Sequence, residues 1–221
     1  MVTVPVNFTG GDYKHKSVPL TKQATRNFWP QVIPNQKAKS SYILQSFYGL
    51  KSWKSFEGLK NRGIIQNDGK LYRVVDNTLY SVDKSGNHTN LGFIAGSNRC
   101  IMSRMGKQVI IVNGSGTVYV WDGTDLTEVT DENIGTPNGV AVLNNQAVYD
   151  SGDGQVFDVS DVGKPGTING LNNAKAESSP DDLLLPYAFS ETLYLLGTET
   201  IELWWNYGQG NPPFDRIQGG S

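Results

Sequence analysis

Residues 71–83 read LYRVVDNTLYSVD. Two short runs rich in alternating apolar side chains flank Asp76-Asn77, and a Tyr follows a Leu in each run. Period-two alternation about an Asx-rich turn is hairpin chemistry. The same grammar returns three times. Gln108–Val112 and Thr117–Trp121 bracket NGSG at 113–116, and Gln146–Tyr149 and Gln155–Val159 bracket SGDG at 151–154. Thr192–Leu196 and Thr200–Trp204 bracket Gly197–Glu199. Tyr80, Tyr119, Phe157 and Leu203 hold matching places, 39, 38 and 46 residues apart. A further strand candidate precedes each pair: Gly63–Gln66, Cys100–Ser103, Gly139–Val142 and Leu183–Ala188. Another follows three of them, at Thr89–Ile94, Leu126–Val129 and Thr167–Ile168.

Four short strands about every 40 residues is the period of a β-propeller blade. A lone twisted sheet cannot bury both faces, and radial stacking covers them while leaving only short edges. A β-sandwich shares the short strands but has no reason to repeat at a fixed interval. The expected fold is therefore all-β: a β-propeller of four-stranded antiparallel blades, about four repeats over residues 58–221. Residues 1–57 read as an extended basic arm. Prolines at 5, 19, 30 and 34 break any helix there, leaving one or two strands, SYILQSF at 41–47 among them. The ending QGNPPFDRIQGGS stops as another strand begins, so the chain is expected to be the first part of a longer protein.

Composition agrees with a turn-rich globular protein: 18% charged, 38% hydrophobic, 25 Gly. No apolar run approaches the roughly 20 residues that span a bilayer. MVTVPVNFTGGDYKHK lacks the basic start and apolar block of a secretory signal. Cys100 is the single cysteine, in keeping with maturation in a reducing cytosol. The net charge of −2 divides unevenly, +6 over residues 1–57 and −8 over residues 58–221. A basic arm on an acidic body suits nucleic acid or the acidic body of a neighbour, while a solvated arm needs no partner at all.

Chemistry is sparse. His15 and His88 are the only imidazoles, one in a Lys-flanked arm and one in the turn KSGNHTN, and both read as exposed. No GxSxG elbow, HExxH helix or Gly-rich phosphate loop occurs, and one Cys with two distant His cannot fill a tetrahedral metal site. Ser151 to Phe157 approaches the Asp-box of sialidase-type propellers but is one residue short, and that box is itself a structural hairpin. Asp122, Asp125, Glu128, Asp131 and Glu132 carry enough oxygens to suggest Ca²⁺, yet spread over a turn, a strand and a loop they read as a solvated rim. No catalytic, cofactor-binding or metal-binding residue is expected, and no cofactor.

Aromatic residues say more. Phe28-Trp29-Pro30 sits in the arm and Trp204-Trp205-Asn206-Tyr207 closes the last hairpin. Adjacent Trp residues on a strand point to opposite faces, so one belongs between blades or on a contact surface. The candidate partner contacts are Lys14, Lys16, Lys22, Arg26, Phe28, Trp29, Trp205 and Tyr207.

The run YILQSFYGLKSW, followed by RGIIQNDGKLYRVVDNTLYSVD and LGFIAGSNRCIMS, resembles the packaged-DNA stabilisation proteins of short-tailed bacteriophages, also called tail accessory factors or tail nozzle proteins. Ser46-Phe47-Tyr48-Gly49, Arg62-Gly63, Tyr72-Arg73-Val74, Leu79-Tyr80 and Gly96-Ser97-Asn98-Arg99 occupy motif positions of that family. So do Ala176-Glu177-Ser178, Pro180-Asp181 and Thr200-Ile201-Glu202. Tyr48 departs from it, standing where the family usually has Pro, and family members are longer. The resemblance implies a structural virion protein. Its subunits would form a homo-oligomeric ring, a hexamer, beneath the portal-adaptor ring of the virion tail. The ring would close the DNA exit channel on packaged DNA without reading its sequence, and carry the tail needle and tailspike proteins. No membrane span is implied.

Two other readings share the fold. A carbohydrate-binding or sialidase-like propeller would gather arginines on its inner strands, but the spacing of Arg73, Arg99 and Arg104 does not suggest convergence. A WD-type interaction scaffold would repeat Gly-His and Trp-Asp in each blade. Trp121-Asp122 occurs once and Gly-His never.

Overall fold

The hairpin at residues 71–83 forms in the computed structural model. Lys70–Val75 pairs antiparallel with Thr78–Val82, Val75 stands opposite Thr78, and Asp76 takes a φ of 46° in the two-residue turn. The structure describes residues 13–14, 22–23, 27–32, 34, 42–49, 55–56, 59–152, 154–176 and 181–218. It divides into two units, residues 1–53 and 54–221.

In the first unit, β1 (Tyr13–Lys14) pairs antiparallel with β2 (Lys22–Gln23), Lys14 opposite Lys22. A second ribbon joins β3 (Phe28–Val32) to β4 (Tyr42–Ser46), from Phe28 opposite Ser46 to Val32 opposite Tyr42. Phe47 N extends this ladder, donating to Asn27 O at 3.1 Å.

The second unit holds four sheets, each a meander of four sequential antiparallel strands. The first is β5 (Asn61–Asn67), β6 (Lys70–Val75), β7 (Thr78–Val82) and β8 (His88–Phe93). The second is β9 (Ile101–Met105), β10 (Gln108–Val112), β11 (Val118–Trp121) and β12 (Leu126–Glu128). The third is β13 (Val140–Leu143), β14 (Gln146–Asp150), β15 (Val156–Val159) and β16 (Asn173–Lys175). The fourth is β17 (Leu183–Phe189), β18 (Thr192–Gly197), β19 (Ile201–Asn206) and β20 (Phe214–Arg216). Among the described residues the one helical element is a 3₁₀ turn at Glu132–Ile134.

One outer strand differs from the sequence expectation. Thr167–Ile168 is not the fourth strand of blade 3. Ile168 N donates to Asp131 Oδ2 at 3.0 Å, Asn133 Nδ2 donates to Ile168 O at 3.1 Å, and the Ile168 side chain is buried among blades 2 and 3. With that backbone tied to the 3₁₀ turn, β16 takes the place, Ala174 opposite Phe157. In the tail, Phe214–Arg216 is a strand, as the sequence suggests, and it completes blade 4 on β19.

Every blade joins its first and second strands by a two-residue turn: Asp68-Gly69, Asn144-Asn145 and Ser190-Glu191 with positive φ at both residues, and Gly106-Lys107 with positive φ at Gly106. Such turns match the right-handed twist of the strands they link.

Alternation along the strands then builds the core between blades. Tyr72, Val74 and Leu79 of blade 1 meet Val109, Ile111, Tyr119 and Trp121 of blade 2. Ile110, Val112 and Val118 of blade 2 meet Val140, Ala147 and Tyr149 of blade 3. Val148, Phe157 and Val159 of blade 3 meet Leu193, Leu195 and Trp204 of blade 4. This explains why residues 109–112 read Val-Ile-Ile-Val without a break. Blade 2 is covered on both sides, and all four side chains are fully buried. Each such side chain contributes roughly 1.5–3 kcal/mol by leaving water. First strands of successive blades pack together, β5 on β9, β9 on β13 and β13 on β17. Among the described residues β17 does not pack on β5 in this way.

Candidate partner-contact surfaces

The tandem tryptophans divide as strand geometry requires. Trp204 faces blade 3, its ring 5.1 Å from Phe157 at 78°, and its Nε1 donates to Glu202 Oε2 at 2.9 Å. Trp205 faces the other way and is exposed, with the exposed Tyr207 ring 6.1 Å away. In the first unit, Phe28 and Trp29 are both exposed on β3, and Trp29 stands 6.5 Å from the Phe47 ring. Lys14 and Lys22 are cross-strand partners of β1 and β2, while Lys16 and Arg26 lie outside the described residues. The four described candidates of the arm and the two of the last hairpin lie in separate units.

Sequence reasoning missed the rest of Trp205's face. Tyr187 stands opposite Tyr194, and Tyr194 opposite Leu203, so these side chains share one side of blade 4 with Ile201 and Trp205. The signal was present in the alternation of 201–205, but it reads the same whether the face is buried or open.

Also missed was Arg62. Its guanidinium is buried and donates to five backbone carbonyls: Asn98, Asp76, Ile94, Ala95 and Asn113, at 2.7 to 3.1 Å. These lie on the blade 1 turn, the connection between blades and the blade 2 turn. The next residue explains itself too. A Cβ on Gly63 would stand 2.9 Å from Cys100 O, because β5 lies against the start of blade 2. A cleft of about 510 Å³ opens beside this pair, with Lys60 and Arg99 on its walls.

Acidic residues are engaged in turns. Asp122 Oδ1 accepts from Thr124 N and Asp125 N at 2.7 and 2.8 Å, and Asp131 accepts from Asn133 N and Ile168 N, each at 3.0 Å. Backbone donors hold both carboxyls below their ordinary range. Among the described residues no cluster of His, Cys, Asp and Glu is arranged to hold a metal ion. His88 is exposed on β8, its ring 5.0 Å from Phe56 and 5.6 Å from Tyr80; His15 and Asp153 lie outside the described residues.

Blade 3 carries two buried carboxyls that no motif announced. Asp150 accepts from Gly139 N at 2.6 Å and from Asn138 N and Nδ2, yet burial still raises its pKa. Asp158 is pushed up to about 6, chiefly by burial and further by the Asp150 carboxylate. Asp158 pairs with Tyr149 and Asp150 with Phe157, so the two side chains leave opposite faces of the sheet and do not converge on one substrate position.

No helix among the described residues is long and apolar enough to cross a membrane. No curated protein matches the sequence. Solved structures share the fold at low identity. The computationally designed Ika4 protein is 16% identical with a TM-score of 0.50, over 71% of this chain and 99% of that one. Streptogramin B lyase is 16% identical with a TM-score of 0.50, over 71% of this chain and 54% of that one. The β-propeller domain of Myceliophteria thermophila Cps50 (Swd1) is 11% identical with a TM-score of 0.50, over 66% and 54%. The chain thus spans little more than half the length of the last two. The model of a phage stabilisation family, described as bacteriophage P22 Gp10, beta-propeller, matches residues 2–221, and the chain belongs to that family.

Proposed function

We propose that the chain is a ring-forming subunit of a short-tailed phage's tail nozzle, built in the host cytoplasm and carried in the virion tail. Membership of the family makes it a structural, DNA-stabilising phage protein. The finer reading is that six copies dock beneath the portal-adaptor ring, close the DNA exit channel on packaged DNA, and carry the needle and tailspikes. In that ring the body at residues 58–221 is a stiff spacer, and the basic arm at residues 1–57 docks on the acidic body of an adjacent subunit.

The observation that carries this reading is the stack itself. Three consecutive inter-blade cores are sealed. Close-packed interiors transmit load with little compression, as a channel under DNA pressure needs. Electron microscopy of the purified chain mixed with its portal-adaptor ring tests it. A ring of density added below the adaptor is expected; an adaptor that stays bare contradicts it.

A further inference from the structure

Three Asn-Gly pairs occur in the second unit, at 113–114, 138–139 and 169–170. Such a pair is chemically vulnerable, because glycine has no Cβ to keep its backbone nitrogen away from the preceding side-chain amide. That nitrogen attacks Cγ of the asparagine and closes a cyclic imide wherever the segment is free to turn and water is at hand. The fold treats the three pairs differently.

Asn113 is 1% exposed and its amide is held at both ends. Its Oδ1 accepts from Ser115 N and Thr117 N at 2.9 and 3.0 Å, and its Nδ2 donates to Ala95 O at 3.2 Å. A Cβ on Gly114 would overlap Arg99 O, so the turn has little room to rearrange. At 138–139 the attacking atom is itself occupied. Gly139 is buried and its N donates to Asp150 Oδ1 at 2.6 Å, while Asn138 N and Nδ2 donate to the same carboxylate.

Neither restraint applies at 169–170, where both residues are exposed. Among the described residues Gly170 N donates no hydrogen bond, and Asn169 Nδ2, the group that must leave, has no partner. One contact favours reaction. Leu171 N donates to Asn169 Oδ1 at 3.0 Å, polarising the side-chain carbonyl and folding Cγ back over the Gly170 peptide.

We infer that Asn169-Gly170 is a self-modification site on the loop between β15 and β16. The bond from Gly170 N to Asn169 Cγ forms as the N–H proton passes to hydroxide; the Cγ–Nδ2 bond breaks and ammonia leaves. Water then opens the imide at either carbonyl, giving aspartate or, with one more methylene in the main chain, isoaspartate. Both products add a carboxylate, and the longer chain falls at a tied place. Asn172 N donates to Asn169 O at 2.7 Å to close the turn, and a Cβ on Gly170 would stand 2.9 Å from Asn133 Oδ1. Ile168, just before, is bound to Asp131 and Asn133 and buried between blades 2 and 3. Isoaspartate at 169 therefore loosens that seam.

Fragmentation mass spectrometry of the full chain, held folded in mildly alkaline buffer and in parallel unfolded in urea, tests the site. In the folded chain the amide-to-acid mass gain is expected at Asn169 about tenfold faster than at Asn113 or Asn138, which react only through local opening. In urea the three rates should converge. Isoaspartyl methyltransferase should label the aged parent far more than aged Asn169→Gln. The urea midpoint of the aged parent should fall below that of Asn169→Asp, which carries the charge without the methylene. An Asn169 that stays intact in the folded chain overturns the inference, as does reaction at Asn113 or Asn138 at the same rate. Equal midpoints overturn the loosening of the seam.

Discussion

Arg62 reaches across from the first strand of blade 1 to Asn113 in a turn of blade 2, its Nη2 donating to Asn113 O at 3.1 Å. Asn113 answers from its side chain, Nδ2 donating to Ala95 O at 3.2 Å, an oxygen Arg62 Nη2 also reaches at 2.9 Å. The pair ties two blades to the segment between them. Five carbonyl dipoles hold the buried cation. Only a planar fork of five donors satisfies that many oxygens at once.

Removing the fork should be costly. Arg62→Met leaves buried carbonyls unpaired and is expected to lower stability by about 3–5 kcal/mol. Arg62→Lys keeps the charge and should recover only part of the loss. Urea midpoints of the three proteins at one pH decide the matter.

The neighbouring glycine makes a steric prediction. Gly63→Val places a branched side chain against Cys100 O and the Met102 sulfur, so β5 must part from the start of blade 2. A loss of about 1–3 kcal/mol is expected from overpacking. Thermal unfolding followed by near-ultraviolet circular dichroism measures it.

Adjacent tryptophans should differ sharply. Trp204→Ala empties the core between blades 3 and 4, at a cost of about 3–5 kcal/mol. Trp205→Ala removes an exposed ring and should change monomer stability by less than about 1 kcal/mol. Parallel denaturant titrations and sedimentation runs separate the two.

Asp158 predicts a pH dependence. Its folded pKa, near 6, lies above the ordinary 3.8, so the folded state keeps a proton that the unfolded chain gives up as pH rises between those values. Its contribution to stability is present below pH about 4 and lost by pH about 6. Asp158→Asn should flatten this slope and raise stability at pH 7, on the order of 1 kcal/mol after solvent screening. The difference between parent and variant is the quantity to follow, because Asp83, Asp122, Asp131 and Asp181, all held low, impose the opposite trend at more acid pH.

Much of the fold was legible because the code is local. Turn residues and period-two alternation located the second and third strands of every blade. The misplaced outer strand of blade 3 shows where local reading stops. Thr167–Ile168 looks extended and apolar, but Asp131 and Asn133, distant in sequence, hold it as a loop. Arg62 was invisible for the same reason. One arginine before a glycine says nothing of five carbonyls gathered from residues 76 to 113. Of the candidate surface, the Trp204-Trp205 pair said that one ring would turn outward. Only the stack tells which face of blade 4 lies against blade 3.

Sedimentation velocity of the full chain over a wide concentration range tests the central claim most directly. The account predicts a discrete closed assembly at six times the chain's 24.2 kDa, weakened by added salt. A single 24.2 kDa species at every concentration and ionic strength would contradict it.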